Sequence, residues 1–206
     1  MNRAVFLDRD GVINAAPYNP AEGKRDSPYS VSEFRLLPGA KRAVRLLNEA
    51  GWLTVLVSNQ PGVAKGKCTT GVLAELTECL KARLAEAGGH LDGIYYCLHH
   101  PDAVVPELRV ACGCRKPRSG LLLEAARDFQ IDLIKSYMIG DGLQDVEAGL
   151  GAGCKAILVQ PRSRRTAIPE ASVSMVTGSL LEAVEQLLRE ERAPRNGDLP
   201  RLCGSG

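Results

Sequence analysis

The chain has 206 residues, 45% of them hydrophobic and 24% charged, which suits one soluble domain with a sizeable core. The 26 Lys and Arg against 24 Asp and Glu leave a net charge of +2, so composition gives no reason to expect nucleic acid or an anionic membrane as partner. No apolar run approaches a membrane span, and the start, MNRAVFLDRDG, meets charge too early for a signal peptide, so a cytoplasmic location is expected.

Short apolar runs that end abruptly in polar residues predict strands buried on both faces. In chain order they are AVFLD (4–8), LTVLVSNQ (53–60), DGIYYC (92–97), SYMIGD (136–141) and KAILVQ (155–160). Helical spacing with Pro or Gly at the ends predicts helices over 38–50, 70–87, 119–129, 144–152 and 178–192. Residues 14–30, rich in Pro, Gly and charge, predict a long loop. Residues 1–192 read as a single domain, and 193–206 as a disordered tail.

The alternation predicts an α/β fold, a Rossmann-like open parallel sheet with helices on both faces. Ligands of such sheets bind beyond the carboxyl ends of the strands. Asp8, Ser58 and Asp141 stand there, each just past its apolar run. Asp8 and Asp10 lie two apart in an extended segment, so their side chains point roughly the same way. A carboxylate can attack phosphorus if a cation offsets its repulsion, and Mg²⁺ with oxygen ligands does this.

A second constellation is Cys97-x-His99 with Cys112-x-Cys114. Paired short spacings of this kind predict a Cys₃His zinc site, and four protein ligands leave no open position, so the zinc is structural. Chance placement of cysteines and a nucleic-acid-binding zinc module are the other readings, and the near-neutral charge counts against the second. Cys68, Cys79 and Cys154 are expected to pack as small apolar residues, and Cys203 to be a free thiol in the tail.

FLDRDGVIN, LVSNQ, Lys116 and IGDGLQD follow the order of the four motifs of the haloacid dehalogenase-like phosphatases, and the stretch from Phe6 to Asp145 resembles that family. The resemblance implies that Asp8 attacks the phosphoryl group and that Asp10 serves as acid and then base. It implies Mg²⁺ between the Asp8 side chain, the Asp10 main-chain carbonyl and Asp141. Ser58 and Lys116 would hold phosphoryl oxygens, and Asp145 would orient Lys116 or metal-bound water.

The segments SNQPGVAKG and CLHHP…CGCRKP resemble the zinc-loop branch of the family. That match points to His99 rather than His100 as the ligand. It implies a small phosphosugar substrate, the 7-phosphate of a heptose 1,7-bisphosphate, on the way to ADP-heptose for the lipopolysaccharide core. Histidinol phosphate is the alternative, and a non-catalytic zinc-stabilised binding module the alternative of another class. Asn59 is implied as a substrate contact by the same match.

Arg115, beside Lys116 and a metal ligand, is expected to bind a second phosphate or a sugar hydroxyl through its forked guanidinium. Arg9 and Glu22 have weaker cases for reaching substrate. Gly142 departs from the polar residue many relatives carry after the metal-binding Asp. The span from Ser58 to Lys116 leaves no room for a cap domain. An open site on a monomer is therefore expected, walled by residues 14–30, 61–67 and 98–114.

Overall fold

The computed structural model describes residues 1–20, 22–160 and 173–192. The expected tail at 193–206, with Cys203, lies outside the described residues. The elements are β1 (Ala4–Leu7), a hairpin of β2 (Tyr18–Asn19) and β3 (Lys24–Arg25), α1 (Ala40–Glu49), β4 (Leu53–Asn59), α2 (Thr70–Ala85) and β5 (Gly93–Cys97). Then come α3 (Gly120–Phe129), β6 (Tyr137–Gly140), α4 (Leu143–Ala152), β7 (Lys155–Val159), β8 (Met175–Thr177) and α5 (Leu180–Arg192).

Six strands form a sheet in the order β5-β4-β1-β6-β7-β8. Every neighbouring pair is parallel. All four residues of β1 are fully buried, as expected of a central parallel strand. The alternation of its side chains divides the core. Val5 and Leu7 face the cluster built by α1, α2 and α5. Ala4 and Phe6 face the opposite cluster, built around α3.

The helices are there because each carries an apolar stripe of the right period. Leu73, Leu76, Leu80 and Leu84 of α2 are all buried. Each such leucine contributes roughly 1.5–3 kcal/mol by leaving water. The hydroxyl of Thr69 caps α2 by accepting the Val72 N–H at 3.2 Å.

From β1 the chain runs outward through β4 to β5, then returns to β6 on the other side of β1. This reversal puts the topological switch point between β1 and β6, where open α/β sheets bind ligands. Asp8 and Asp141 immediately follow those two strands.

Two features went unpredicted. β8 has only three residues, too short a run to signal a strand by pattern. The expected loop at 14–30 contains the β2–β3 hairpin, with two residues in each arm. Between Ser58 and Lys116 lie α2, β5, a 3₁₀ turn at Pro106–Leu108 and loop, with no cap inserted. No helix among the described residues is long and apolar enough to cross a membrane.

Candidate active site

Asp8 extends β1 by one step, its N–H donating to Ile139 O at 3.0 Å. That bond fixes it beside Asp141 across the switch point. Lys116 arrives from the loop before α3 and is 2% exposed. Its Nζ lies 2.8 Å from Asp8 Oδ1 and 2.5 Å from Asp145 Oδ1, and donates to Val57 O at 2.9 Å. Asp145 is fully buried in the first turn of α4, where it also accepts the Gly142 N–H at 3.1 Å.

The carboxylates of Asp8, Asp141 and Asp145 have oxygens within 4.8 Å of one another. Lys116 is the ammonium paired with two of them. Burial pushes the Asp8 carboxyl up to about 6, against the pull of Lys116 and with added repulsion from Asp145. Burial, then the charge of Asp8, pushes Asp141 up to about 7. Both shifts express one fact: the site holds more negative charge than its own cation neutralises. A hard divalent cation with oxygen ligands fits that excess, and Mg²⁺ is such an ion.

Two glycines make this crowding possible. Gly11 has φ +90°, and a Cβ there would lie 2.1 Å from Asp141 Oδ2. A Cβ on Gly140 would lie 2.0 Å from the Cβ of Asp145. Gly142 differs, since the nearest atom to a Cβ there is 3.5 Å away, so its departure from the family pattern relieves no crowding. Gly11→Ala is expected to lower stability by about 1–3 kcal/mol through backbone strain and to displace Asp141. A thermal melt and a Mg²⁺ titration check this. Wild-type values in both would contradict the packing argument.

Asp10 is held differently. Arg9 Nε donates to its Oδ1 and Nη2 to its Oδ2, both at 3.1 Å. Asn14 Nδ2 adds a bond to Oδ1, while Ser27 Oγ and Gln60 Nε2 reach Oδ2, each at 2.8 Å. Burial alone would raise the Asp10 carboxyl, but Arg9 and these donors outweigh it and hold it below the usual range. Asp10 therefore rests as a carboxylate. Gln60 also donates to Ser58 Oγ at 3.1 Å, so the second strand's polar tip and Asp10 share a partner.

Arg9 is 1% exposed, bonds Asp10 and Gln60, and is not among the residues that line the cavity. Glu22 is likewise engaged, with Lys24 and Lys67. Gln60, Asn14 and Ser27 were missed by sequence reasoning. Gln60 alone had a signal, since it lies two residues past Ser58 and so on the same face of the strand.

Asn59 clasps the Lys116 main chain from both sides: its Nδ2 donates to Lys116 O and its Oδ1 accepts the Lys116 N–H, each at 3.0 Å. Asp8, Asp10, Ser58, Asn59, Arg115 and Asp141 together line a cavity of about 830 Å³. That is far more room than one phosphoryl group needs.

Cys97, His99, Cys112 and Cys114 also meet, with their ligand atoms within 4.8 Å of one another. Sγ of Cys97 lies 3.5 Å from that of Cys112 and 3.3 Å from that of Cys114, and His99 Nδ1 lies 3.4 Å from Cys114 Sγ. A disulfide needs about 2.05 Å. The edge of a tetrahedron around zinc with bonds near 2.3 Å is about 3.8 Å. The donor set and spacing fit zinc. His100 stays outside the cluster, its Nδ1 accepting the Asp102 N–H at 3.1 Å. Arg115 Nη1 donates to the carbonyl of His99 at 3.3 Å, which ties the arginine to the cluster.

A family model described as HAD-hydrolase-like matches residues 113–183. A protein of Yersinia pestis named D-glycero-beta-D-manno-heptose-1,7-bisphosphate 7-phosphatase is 40% identical, the match covering 87% of this chain and 92% of that protein. One of the same name from Escherichia coli K12 is 37% identical over 92% of this chain and 95% of its own length. Among solved structures, a D,D-heptose 1,7-bisphosphate phosphatase from B. bronchiseptica, complexed with magnesium and phosphate, superposes with a TM-score of 0.76 at 35% identity. That match covers 91% of this chain and 99% of the other.

Proposed function

The chain belongs to the haloacid dehalogenase-like phosphatases, and on that premise we propose that it removes the 7-phosphate of D-glycero-D-manno-heptose 1,7-bisphosphate. The observation that carries this reading is the pair Asp8 and Asp141 lining a cavity large enough for a phosphorylated sugar, with Lys116 and Asp145 buried against them. The relatives' names favour the heptose over histidinol phosphate. A cytoplasmic step toward ADP-heptose for the lipopolysaccharide core is the place this activity takes.

Asp8 attacks the phosphoryl group, and the bond to the sugar oxygen breaks as the Asp8–phosphorus bond forms. Asp10 gives its proton to the leaving oxygen, then takes one from the water that releases Asp8. The resting cradle of Arg9, Asn14, Ser27 and Gln60 keeps Asp10 ionised, which is the form the second step needs. For the first step Asp10 must bind a proton against that cradle. Ser58 and Lys116 hold the equatorial oxygens, whose charge must be stabilised in transfer. Asn59, clasping the Lys116 main chain, keeps the ammonium in register and serves as a positioning residue. Asp8, Asp141 and the Asp10 carbonyl would hold Mg²⁺, which would supply charge neutralisation for the phosphoryl transfer.

The Cys/His cluster would hold zinc as a clip on the loop that presents Arg115 and Lys116. Stoichiometric zinc is expected in the purified protein. Cys112→Ser/Cys114→Ser is expected to lose it and to raise KM several-fold even with Mg²⁺ in excess. Zinc retained in full by that variant would refute the clip.

Product analysis tests the function. ³¹P NMR of the reaction with heptose 1,7-bisphosphate is expected to show loss of the 7-phosphate and survival of the anomeric phosphate. Release of the anomeric phosphate, or none at all, would overturn the reading.

A further inference from the structure

Beyond the carboxylate floor, the cationic residues lining the cavity among the described residues are Arg115 and Arg25, and they come from different segments of the chain. Arg115 ends the Cys/His loop, and Arg25 ends β3 of the hairpin. The two are anchored alike. Arg25 Nη1 donates to Ala16 O at 2.9 Å, as Arg115 Nη1 donates to His99 O. One nitrogen of each guanidinium steers the group, and the rest of the fork is left for a ligand.

The carboxylate next door does not neutralise Arg25. Asp26 is turned to Lys67 Nζ at 2.5 Å and accepts the Tyr29 hydroxyl at 2.7 Å. These bonds, with the Asp26 N–H donating to Pro17 O at 2.9 Å, pin the exit of the hairpin. Ser27, two residues past Arg25, bonds the Asp10 carboxylate at 2.8 Å. Arg25 is therefore held at a set offset from the reacting centre, and a pre-organised cation binds more tightly than a floppy one.

The floor of the cavity is acidic and takes the phosphoryl group together with a divalent cation. A substrate reaching from there to the two arginines meets two cations, which suit an anionic group at its other end. We propose that Arg25 is a specificity-determining residue which, with Arg115, forms a two-arginine clamp for a second phosphate at the end of the substrate away from the group transferred. This rests on the sugar-bisphosphate reading above. Paired guanidinium groups suit phosphate because each presents parallel N–H donors to its oxygens.

The test uses Asp8→Asn protein with Mg²⁺, titrated calorimetrically with heptose 1,7-bisphosphate, heptose 7-phosphate and inorganic phosphate. The parent is expected to prefer the bisphosphate. Adding Arg25→Ala is expected to cut that preference by about ten- to a hundredfold, the worth of one charge-assisted contact. Arg25→Lys keeps the charge without the fork and is expected to recover part of it. An undiminished preference in Arg25→Ala would overturn the clamp alone. A parent that binds neither sugar better than inorganic phosphate would overturn the sugar-bisphosphate reading, and the clamp with it.

Discussion

Asp8→Asn is expected to lower turnover by at least about four orders of magnitude, the scale on which a lost nucleophile acts. The amide keeps the shape of the side chain and can still accept a bond from Lys116, so the fold has no reason to collapse. The stability change even has a defined sign. Burial outweighs Lys116 and raises the Asp8 carboxyl to about 6. A group whose folded pKa lies above its unfolded value favours the fold below that unfolded value, and the benefit is lost as pH rises through about 6. At pH 7 without added Mg²⁺, ionised Asp8 therefore works against folding, and Asp8→Asn is expected to melt no lower than wild type. With Mg²⁺ added, wild type should gain stability and the variant should gain less. Turnover near wild type would remove Asp8 as the nucleophile.

Lys116→Met is expected to cost both activity and stability. The lysine is the cation shared by Asp8 and Asp145. Removing one member of a buried ionic cluster leaves uncompensated charge, at a cost of about 3–5 kcal/mol. For a chain of this size that lowers Tm by roughly 10 °C. Activity should fall by at least about a thousandfold, since the phosphoryl oxygens lose their ammonium. Lys116→Met/Asp145→Asn separates the two effects. It removes one stranded carboxylate and should recover part of the Tm while recovering none of the rate. A single variant that melts like wild type would show that Asp8, Lys116 and Asp145 are not one electrostatic unit. Recovery of the rate in the double variant would deny Lys116 a part in catalysis.

The floor of the site was legible in the chain because apolar runs stop abruptly at Asp8, Ser58 and Asp141. A strand that ends in charge places that charge at the sheet edge, and the reversal of strand order brings the edges together. Lys116 had no such local signal. It lies in a loop, and only the motif order pointed to it. Arg9 had a weak case for reaching substrate, yet it is among the most buried side chains, because Asp10 and Gln60 offset its desolvation. Asn59 was expected at the substrate; it lines the cavity, and its amide bonds the Lys116 main chain. Strand alternation points it away from the side of Ser58. The donors around Asp10 come from Asn14, Ser27 and Gln60, between 4 and 50 residues distant. No period or motif in one sequence encodes pairings of that reach.

The Cys/His cluster looks at first like a reactive centre. Its four side chains bring their ligand atoms within 4.8 Å of one another, and Arg115 and Lys116 follow the last of them directly in the chain.

The most direct measurement is kcat/KM for phosphate release from heptose 1,7-bisphosphate, heptose 7-phosphate and histidinol phosphate, compared on the same protein with Mg²⁺. The bisphosphate is expected to be highest, by tenfold or more over the monophosphate, as a second anion site requires. Histidinol phosphate turned over best, or all three at the same rate, would contradict the heptose bisphosphate as substrate.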